Sequence, residues 1–158
     1  MHGACWVHGV PIMRDYPNTE YGSEAVLGVP RTKISALIDT GEEDKAQGEI
    51  TKLIVEQASN SDLGDTLYFL ARRFERAKKC SINRYSKAMA IYRHVINNWP
   101  GSRDGSRARL DILKVPLLIA IETGNDSSVI SELDQLIADN RGVSHMGHVI
   151  SRIAEQYF

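Results

Sequence analysis

Apolar residues recur along this chain every three or four positions, the spacing of an amphipathic helix. Leu63, Leu67, Leu70 and Phe74 share one helical face, and residues 85–99 carry an even more regular apolar stripe. No segment shows the alternation of apolar and polar residues that is typical of a strand. The pattern therefore predicts an all-α protein.

The ends of the predicted helices carry recognisable signals. Gly41 and Gly124 each follow a threonine and are typical of glycine-terminated helices. Ser61 and Ser144 stand just before apolar stripes and are candidate N-caps. In the segment NNWPGSRDGS, residues 97–106, the proline ends one helix and a serine or aspartate begins the next.

Two longer helices are predicted at about residues 20–39 and 103–122. Pro30 and Pro116 lie inside them, where a proline is expected to kink or interrupt a helix. In total the pattern predicts about seven helices, arranged in antiparallel hairpins. We expect such hairpins to stack into an α-solenoid with a right-handed superhelical twist.

The chain contains an internal repeat with an offset of 83 residues. Residues 16–74 align with residues 99–157 without a gap, and the similar pairs fall on the predicted core faces. Identical pairs include Pro17/Pro100, Gly22/Gly105, Ala25/Ala108, Leu27/Leu110, Gly41/Gly124, Ile54/Ile137 and Ala71/Ala154. Such a repeat indicates stacked helical units that share one core.

The repeat sets the predicted domain organisation. Residues 15–158 are interpreted as a single helical-repeat domain, with copies at 15–97 and 98–158. Residues 1–14 align with a good helix, but glycines and a proline break them, which predicts an irregular or partly disordered leader. The second copy is incomplete. Its last helix would then expose an apolar face, so the chain is either a fragment of a longer array or pairs with another copy through this end.

Composition narrows the class of protein. The 158 residues include 19 basic and 20 acidic ones, which argues against a nucleic-acid binder or a membrane anchor held by bulk positive charge. Two cysteines make no disulfide framework, and no apolar run is long enough to span a membrane. The N-terminal residues do not resemble a secretory signal. The compartment stays open: cytoplasmic, or periplasmic if the chain is part of an exported protein.

Residues 63–102 resemble a tetratricopeptide repeat. The first helix of that family carries a leucine, a small residue and an aromatic residue, and the second carries an alanine and an aromatic residue before a proline. The segment YRHVINNWPGS is similar to the bacterial variant found in envelope assembly and coordination proteins. The chain departs from the family in the long turn at residues 75–84 and in the two prolines noted above. The matching positions are Leu67, Leu70, Ala71, Phe74, Ala88, Tyr92, Val95 and Pro100.

The resemblance implies a scaffold whose concave surface binds a peptide or a partner protein. It places four residues of the first copy on that surface: Asp65, Tyr68, Arg72 and Arg76. The corresponding face of the second copy carries His148, Ser151 and Glu155. Because these two faces differ in charge, we expect them to have different ligands.

Two further groups of side chains are candidates for metal or anion binding. His2, Cys5 and His8 have a spacing seen in metal ligands, and His145 and His148 are three residues apart. The first and last units of a solenoid lie far apart, so we expect no metal site. A basic cluster could bind an acidic peptide or a phosphate, or it could simply be the solvated face of a helix. It consists of Arg72, Arg73, Arg76, Lys78, Lys79 and Arg84.

No catalytic motif accompanies these clusters. The sequence has no phosphate-binding glycine loop, nucleophile elbow or metalloprotease helix, and Cys80 has no histidine in the same turn. We therefore expect a non-enzymatic interaction scaffold that uses no cofactor. The alternative is a structural module that self-associates through an exposed apolar face formed by Val149, Ile153 and Tyr157.

Overall fold

The structure is a computed structural model that describes residues 20–125, 127 and 129–157, with side chains from Ala25 onward. Over these residues it contains seven α-helices and no strand, which confirms the all-α class. The predicted leader at residues 1–14, with His2, Cys5 and His8, lies outside the described residues. The helices are α1 (Glu20–Thr40), α2 (Glu43–Glu56), α3 (Leu63–Arg76), α4 (Arg84–Asn98), α5 (Arg103–Glu122), α6 (Val129–Asp139) and α7 (Met146–Tyr157).

The chain divides between Ser81 and Ile82 into two compact units. In the first unit, the long helix α1 packs against α2 and α3. In the second unit, the long helix α5 packs against α4, α6 and α7. Helices that are equivalent under the 83-residue offset thus pack in the same pattern, α1 with α2 and α3, and α5 with α6 and α7. The single continuous domain and the superhelical solenoid remain predictions.

The core of the first unit is mainly aliphatic. Ile34 and Ile38 of α1, Ile50 of α2, and Leu67 and Phe74 of α3 are completely buried. Burying side chains of this size contributes about 1.5–3 kcal/mol each. The helix stripes read from the sequence therefore face the interior of the unit.

The core of the second unit is more aromatic, and its burial is uneven. Tyr85 and Tyr92 of α4 and Leu118 of α5 are all fully buried. Helix α6 buries only Val129, and its Ile130 remains largely exposed. The second copy of the repeat therefore covers this helix less completely than the first copy covers α2, which buries three residues.

Both glycine helix ends are confirmed. Gly41 has φ +84° and Gly124 has φ +69°, the left-handed conformation that glycine adopts without steric cost. The Gly41 amide donates to the Ile38 carbonyl at 3.1 Å, and the next amide donates back to Leu37 at 2.8 Å. The same pair of bonds ends α5 at Gly124. Two bonds of this kind satisfy the last carbonyls of a helix and turn the chain sharply.

Of the predicted N-caps, the structure confirms Ser102 but not Ser61. The Ser102 hydroxyl accepts a hydrogen bond from the Gly105 amide at 2.9 Å and so caps α5 as expected. Ser61 does not cap α3, because the helix begins at Leu63 and Asp62 takes the cap position without a side-chain bond. Pro30 and Pro116 do not interrupt α1 and α5, which each continue through the proline as one helix.

We predict that Gly41→Ala destabilises the protein more than Gly124→Ala. Both substitutions place a side chain at positive φ, which costs about 1–2 kcal/mol. At Gly41 the new Cβ also meets the Lys79 carbonyl oxygen at 2.8 Å, whereas nothing lies within 4 Å of a Cβ at Gly124. Urea denaturation followed by circular dichroism measures both losses. Equal losses would contradict the close approach of the residue 77–81 segment to the α1–α2 turn.

Candidate functional site

The structure places the predicted partner-binding residues of the first copy on α3, but not all at the surface. Asp65 and Arg76 are exposed and Arg72 is half-buried. Tyr68 is only 4% exposed, with the Arg72 guanidinium 5.8 Å from its ring centre. The Tyr68 side chain is therefore part of the core rather than of an accessible surface.

Phe69, which the resemblance did not select, occupies the accessible side of α3 instead. It follows Asp65 by four residues and precedes Arg72 by three, so these side chains share one helical face. Its ring is 40% exposed, and the Arg31 guanidinium of α1 lies 5.1 Å from the ring centre. The α3 surface is defined below as Asp65, Phe69, Arg72 and Arg76. An aromatic residue outside the buried stripe was the sequence signal that could have found it.

The basic cluster predicted from the sequence is divided by ion pairs. Arg73 donates from Nε to Asp39 Oδ1 at 2.8 Å and from its terminal nitrogen to the other carboxylate oxygen. Arg84 is buried in the second unit and pairs with Glu122. Only part of the cluster, including Arg72 and Arg76, is left on the α3 surface.

The predicted partner-binding residues of the second copy lie on the outer side of α7. His148, Ser151 and Glu155 are all exposed, and a Glu155 carboxylate oxygen lies 3.5 Å from Arg152 Nη1. The residues chosen for self-association lie on its inner side. Val149 and Ile153 are 0% and 2% exposed, and only Tyr157 reaches the surface at 41%. The expected bare apolar face is covered, because this side of α7 belongs to the core of its own unit.

A buried polar trio links α5 to the start of α7. Asp111 and Lys114, 1% and 3% exposed, form an ion pair with Oδ1 and Nζ 2.7 Å apart. His145 Nε2 lies 3.3 Å from the same carboxylate oxygen. Burial lowers the pKa of His145 below its ordinary value, although the Asp111 charge opposes this effect. The trio was not predicted, because nothing in the sequence alone marks a charged pair as buried.

A surface cavity of about 350 Å³ lies beside this trio. One wall is formed by one side of the first two turns of α5, and the other by the segment that leads into α7 and its first turn. This α5–α7 cavity is lined by Arg103, Ser106, Arg107, Leu110, Val143, Ser144, His145 and His148. Its volume is within the range of small-ligand sites in proteins.

A second polar network joins the start of α4 to the end of α5. Arg84 Nη1 donates to Glu122 Oε1 at 2.9 Å, and the Tyr85 hydroxyl donates to Oε2 at 2.8 Å. Burial raises the pKa of Tyr85 to about 12. Burial alone would raise the pKa of Glu122 as well, but the bonds from Arg84 and Tyr85 hold it below its ordinary value. The Arg84 and Tyr85 side chains of this network are buried, and Glu122 joins them from the end of α5.

The remaining candidates for chemistry have structural surroundings. The Cys80 thiol is buried and donates to the Ile38 carbonyl at 3.3 Å. His145 and His148 meet edge to face, with ring centres 5.4 Å apart. Within the described ranges, no three side chains of histidine, cysteine, aspartate or glutamate are grouped so as to hold a metal ion.

Comparison with known proteins adds no assignment to these sites. No protein-family model matches the chain, and neither curated proteins nor solved structures show significant similarity to it. None of the seven described helices has the length and apolar character required to cross a membrane.

We predict that Glu122→Gln destabilises the protein by about 1–3 kcal/mol, because it replaces the carboxylate that pairs with the buried Arg84 guanidinium by a neutral amide. Glu56→Gln is the control. Glu56 and Lys52 are exposed and their charged groups lie 3.7 Å apart. Losing this exposed ion pair should change the free energy of unfolding by less than about 0.5 kcal/mol. Urea denaturation at neutral pH measures both. A Glu122→Gln variant as stable as the control would show that the buried network contributes nothing.

We predict that His145 makes stability fall as the solution is acidified. Because folding lowers its pKa below 6.5, the unfolded chain binds the proton more readily. Neutral His145 makes its full contribution to the free energy of unfolding above about pH 6.5. This contribution is lost as the pH falls through the pKa of His145 in the folded protein. The His145→Gln variant should therefore show a smaller loss of unfolding free energy from about pH 7.5 to about pH 5. Identical profiles for the variant and the native protein would contradict this prediction.

Proposed function

We propose that this chain is a non-enzymatic helical-repeat scaffold, similar to tetratricopeptide repeats, that binds a partner protein through its helices. The observation that carries the proposal is the α3 surface, where the exposed ring of Phe69 stands among arginines. Aromatic residues and arginines are enriched at protein interfaces and dominate their binding energy. The opposite side of α3 is buried, so this helix is held rigidly while presenting the ring.

The charge of this surface indicates the chemistry of the partner. Arg72 and Arg76 lie one turn apart on α3, and Arg31 stacks on Phe69 from α1. Asp65 supplies one opposing charge at the beginning of the helix. We infer that the partner segment is acidic and offers an apolar side chain to the Phe69 ring. The contact with Arg31 orders both groups in advance, which reduces the entropy lost on binding.

The equivalent surface of the second copy favours a different ligand. Under the repeat, Asp65 corresponds to His148, Phe69 to Arg152 and Arg72 to Glu155. Helix α7 therefore has an arginine at the position equivalent to Phe69, and the charge at the position equivalent to Arg72 is reversed. This supports the expectation that the two copies do not share a partner.

The wider proposal is that the chain is a segment of a longer bacterial repeat protein whose helix hairpins form a solenoid. Its support is the common packing pattern of α1 with α2 and α3, and of α5 with α6 and α7. Self-association through Val149, Ile153 and Tyr157 is not part of the proposal, because two of these three side chains are buried within their own unit.

The test is to select peptides of about 12 residues from a random displayed library and then to measure the affinity of the selected sequences for the protein. We expect enriched peptides to be acidic with an apolar residue, and Phe69→Ala to weaken their binding by about tenfold or more. Arg72→Gln should weaken it and make it less sensitive to salt, because one ionic contact is lost.

Two matched controls accompany these variants. Val55→Ala removes an exposed apolar side chain from α2, and Arg93→Gln removes an exposed positive charge from α4. Both should leave the affinity for the selected peptides unchanged. If no peptide is enriched, or if the controls weaken binding as much as the α3 variants, the α3 surface is not a partner-binding site.

A further inference from the structure

We propose that the α5–α7 cavity binds a phosphomonoester group. This inference goes beyond the partner-binding role of the α3 surface, since the cavity lies within the second unit and shares no residue with that surface. The proposal rests on the cavity itself and on the cationic and hydroxyl side chains that line it.

The donors in the cavity come from two sides. Arg103, Ser106 and Arg107 project from consecutive positions on one side of α5, and the two arginines are one helical turn apart. Ser144 and His148 line the cavity from the other side, before and within the first turn of α7. A group bound between these walls would receive hydrogen bonds from two guanidinium groups, the Ser144 hydroxyl and an imidazole, whereas the Ser106 hydroxyl already donates to the Ser102 carbonyl at 3.0 Å.

The local charge is positive. In the described part of the chain, Arg103 has no carboxylate within ion-pair distance, and Arg107 has only a long contact of 3.5 Å with Asp104. The buried carboxylate of Asp111, which contacts the lining residue His145, is balanced by Lys114 at 2.7 Å. The cavity therefore favours an anion.

The shape of the donor set favours a phosphomonoester over a carboxylate. A carboxylate is planar, carries one charge and has two oxygens, which one guanidinium group can satisfy. A phosphomonoester has close to two charges and three terminal oxygens at pH 7, so it can use both arginines and the Ser144 hydroxyl of the facing wall. The cavity of about 350 Å³ exceeds the size of a phosphate alone. Leu110 and Val143 supply apolar surface for the group that carries it.

The experiment is isothermal titration of the full chain at about 0.15 M salt with four probes. These are inorganic phosphate, phenyl phosphate, a short peptide with a central phosphoserine, and benzoate as the carboxylate comparison. We expect phenyl phosphate or the phosphopeptide to saturate with a Kd of about 1 mM or lower, and benzoate to bind at least about tenfold more weakly. The tighter of the two esters identifies the source, a small molecule or a modified protein side chain.

The site is located by substitution. The double variant Arg103→Gln/Arg107→Gln should lose about tenfold or more in affinity for the bound ester. Arg109→Gln is the matched control, because Arg109 is exposed on the same helix but does not line the cavity. It should leave the affinity unchanged. Circular dichroism and thermal unfolding of each variant establish that the fold is retained.

Three results would overturn the proposal: no saturable binding of any phosphate probe, benzoate binding as tightly as the esters, or an equal loss in the Arg109→Gln variant. None of these results bears on Phe69 or on the peptides selected with the α3 surface. Failure of the cavity and failure of the proposed scaffold function are therefore distinguishable.

Discussion

The rest of this structure depends on the burial of one side of two long helices, α1 and α5. Each is the surface on which the shorter helices of its unit pack, and each ends at a glycine that turns the chain back. Marginal protein stability means that such burial cannot be given up at many positions. The 83-residue repeat preserves the positions that carry it, among them Leu27 and Leu110, which are both buried. Surface positions on α3 carry no such constraint, and Asp65, Phe69 and Arg72 are replaced by His148, Arg152 and Glu155 in the second copy.

The two proposed sites follow from this division between constrained and unconstrained positions. The inner side of α3 holds Leu67 and Phe74, so its outer side is free to combine Phe69 with arginines. On α7 the inner side holds Val149 and Ile153, and the outer side carries His148 beside the cavity. One helical framework thus supports two chemically distinct surfaces, an aromatic one with positive charge and a polar recess.

The helices and their ends were predictable because their causes are local. Periodicity identifies a helix within one or two turns, and Gly41 and Gly124 act through the backbone of the residues beside them. The site residues were less predictable because exposure is set by packing partners far along the chain. Tyr68 and Phe69 are adjacent aromatic residues, and only the packing of the first unit decides which of them reaches solvent. Likewise, no local signal shows that Asp111 and Lys114 are buried together, or that His145 lies 34 residues away from the carboxylate it meets.

The burial of Cys80 has a consequence for how the first unit moves. Its thiol is directed at the Ile38 carbonyl near the end of α1 and is covered by the residues around it. An alkylating reagent reaches this sulfur only when the segment after α3 has separated from α1, because a buried thiol has no other route to solvent. When alkylation is faster than reclosing, its rate gives the frequency with which that segment detaches, and when alkylation is slower, its rate reports the fraction of molecules that are open.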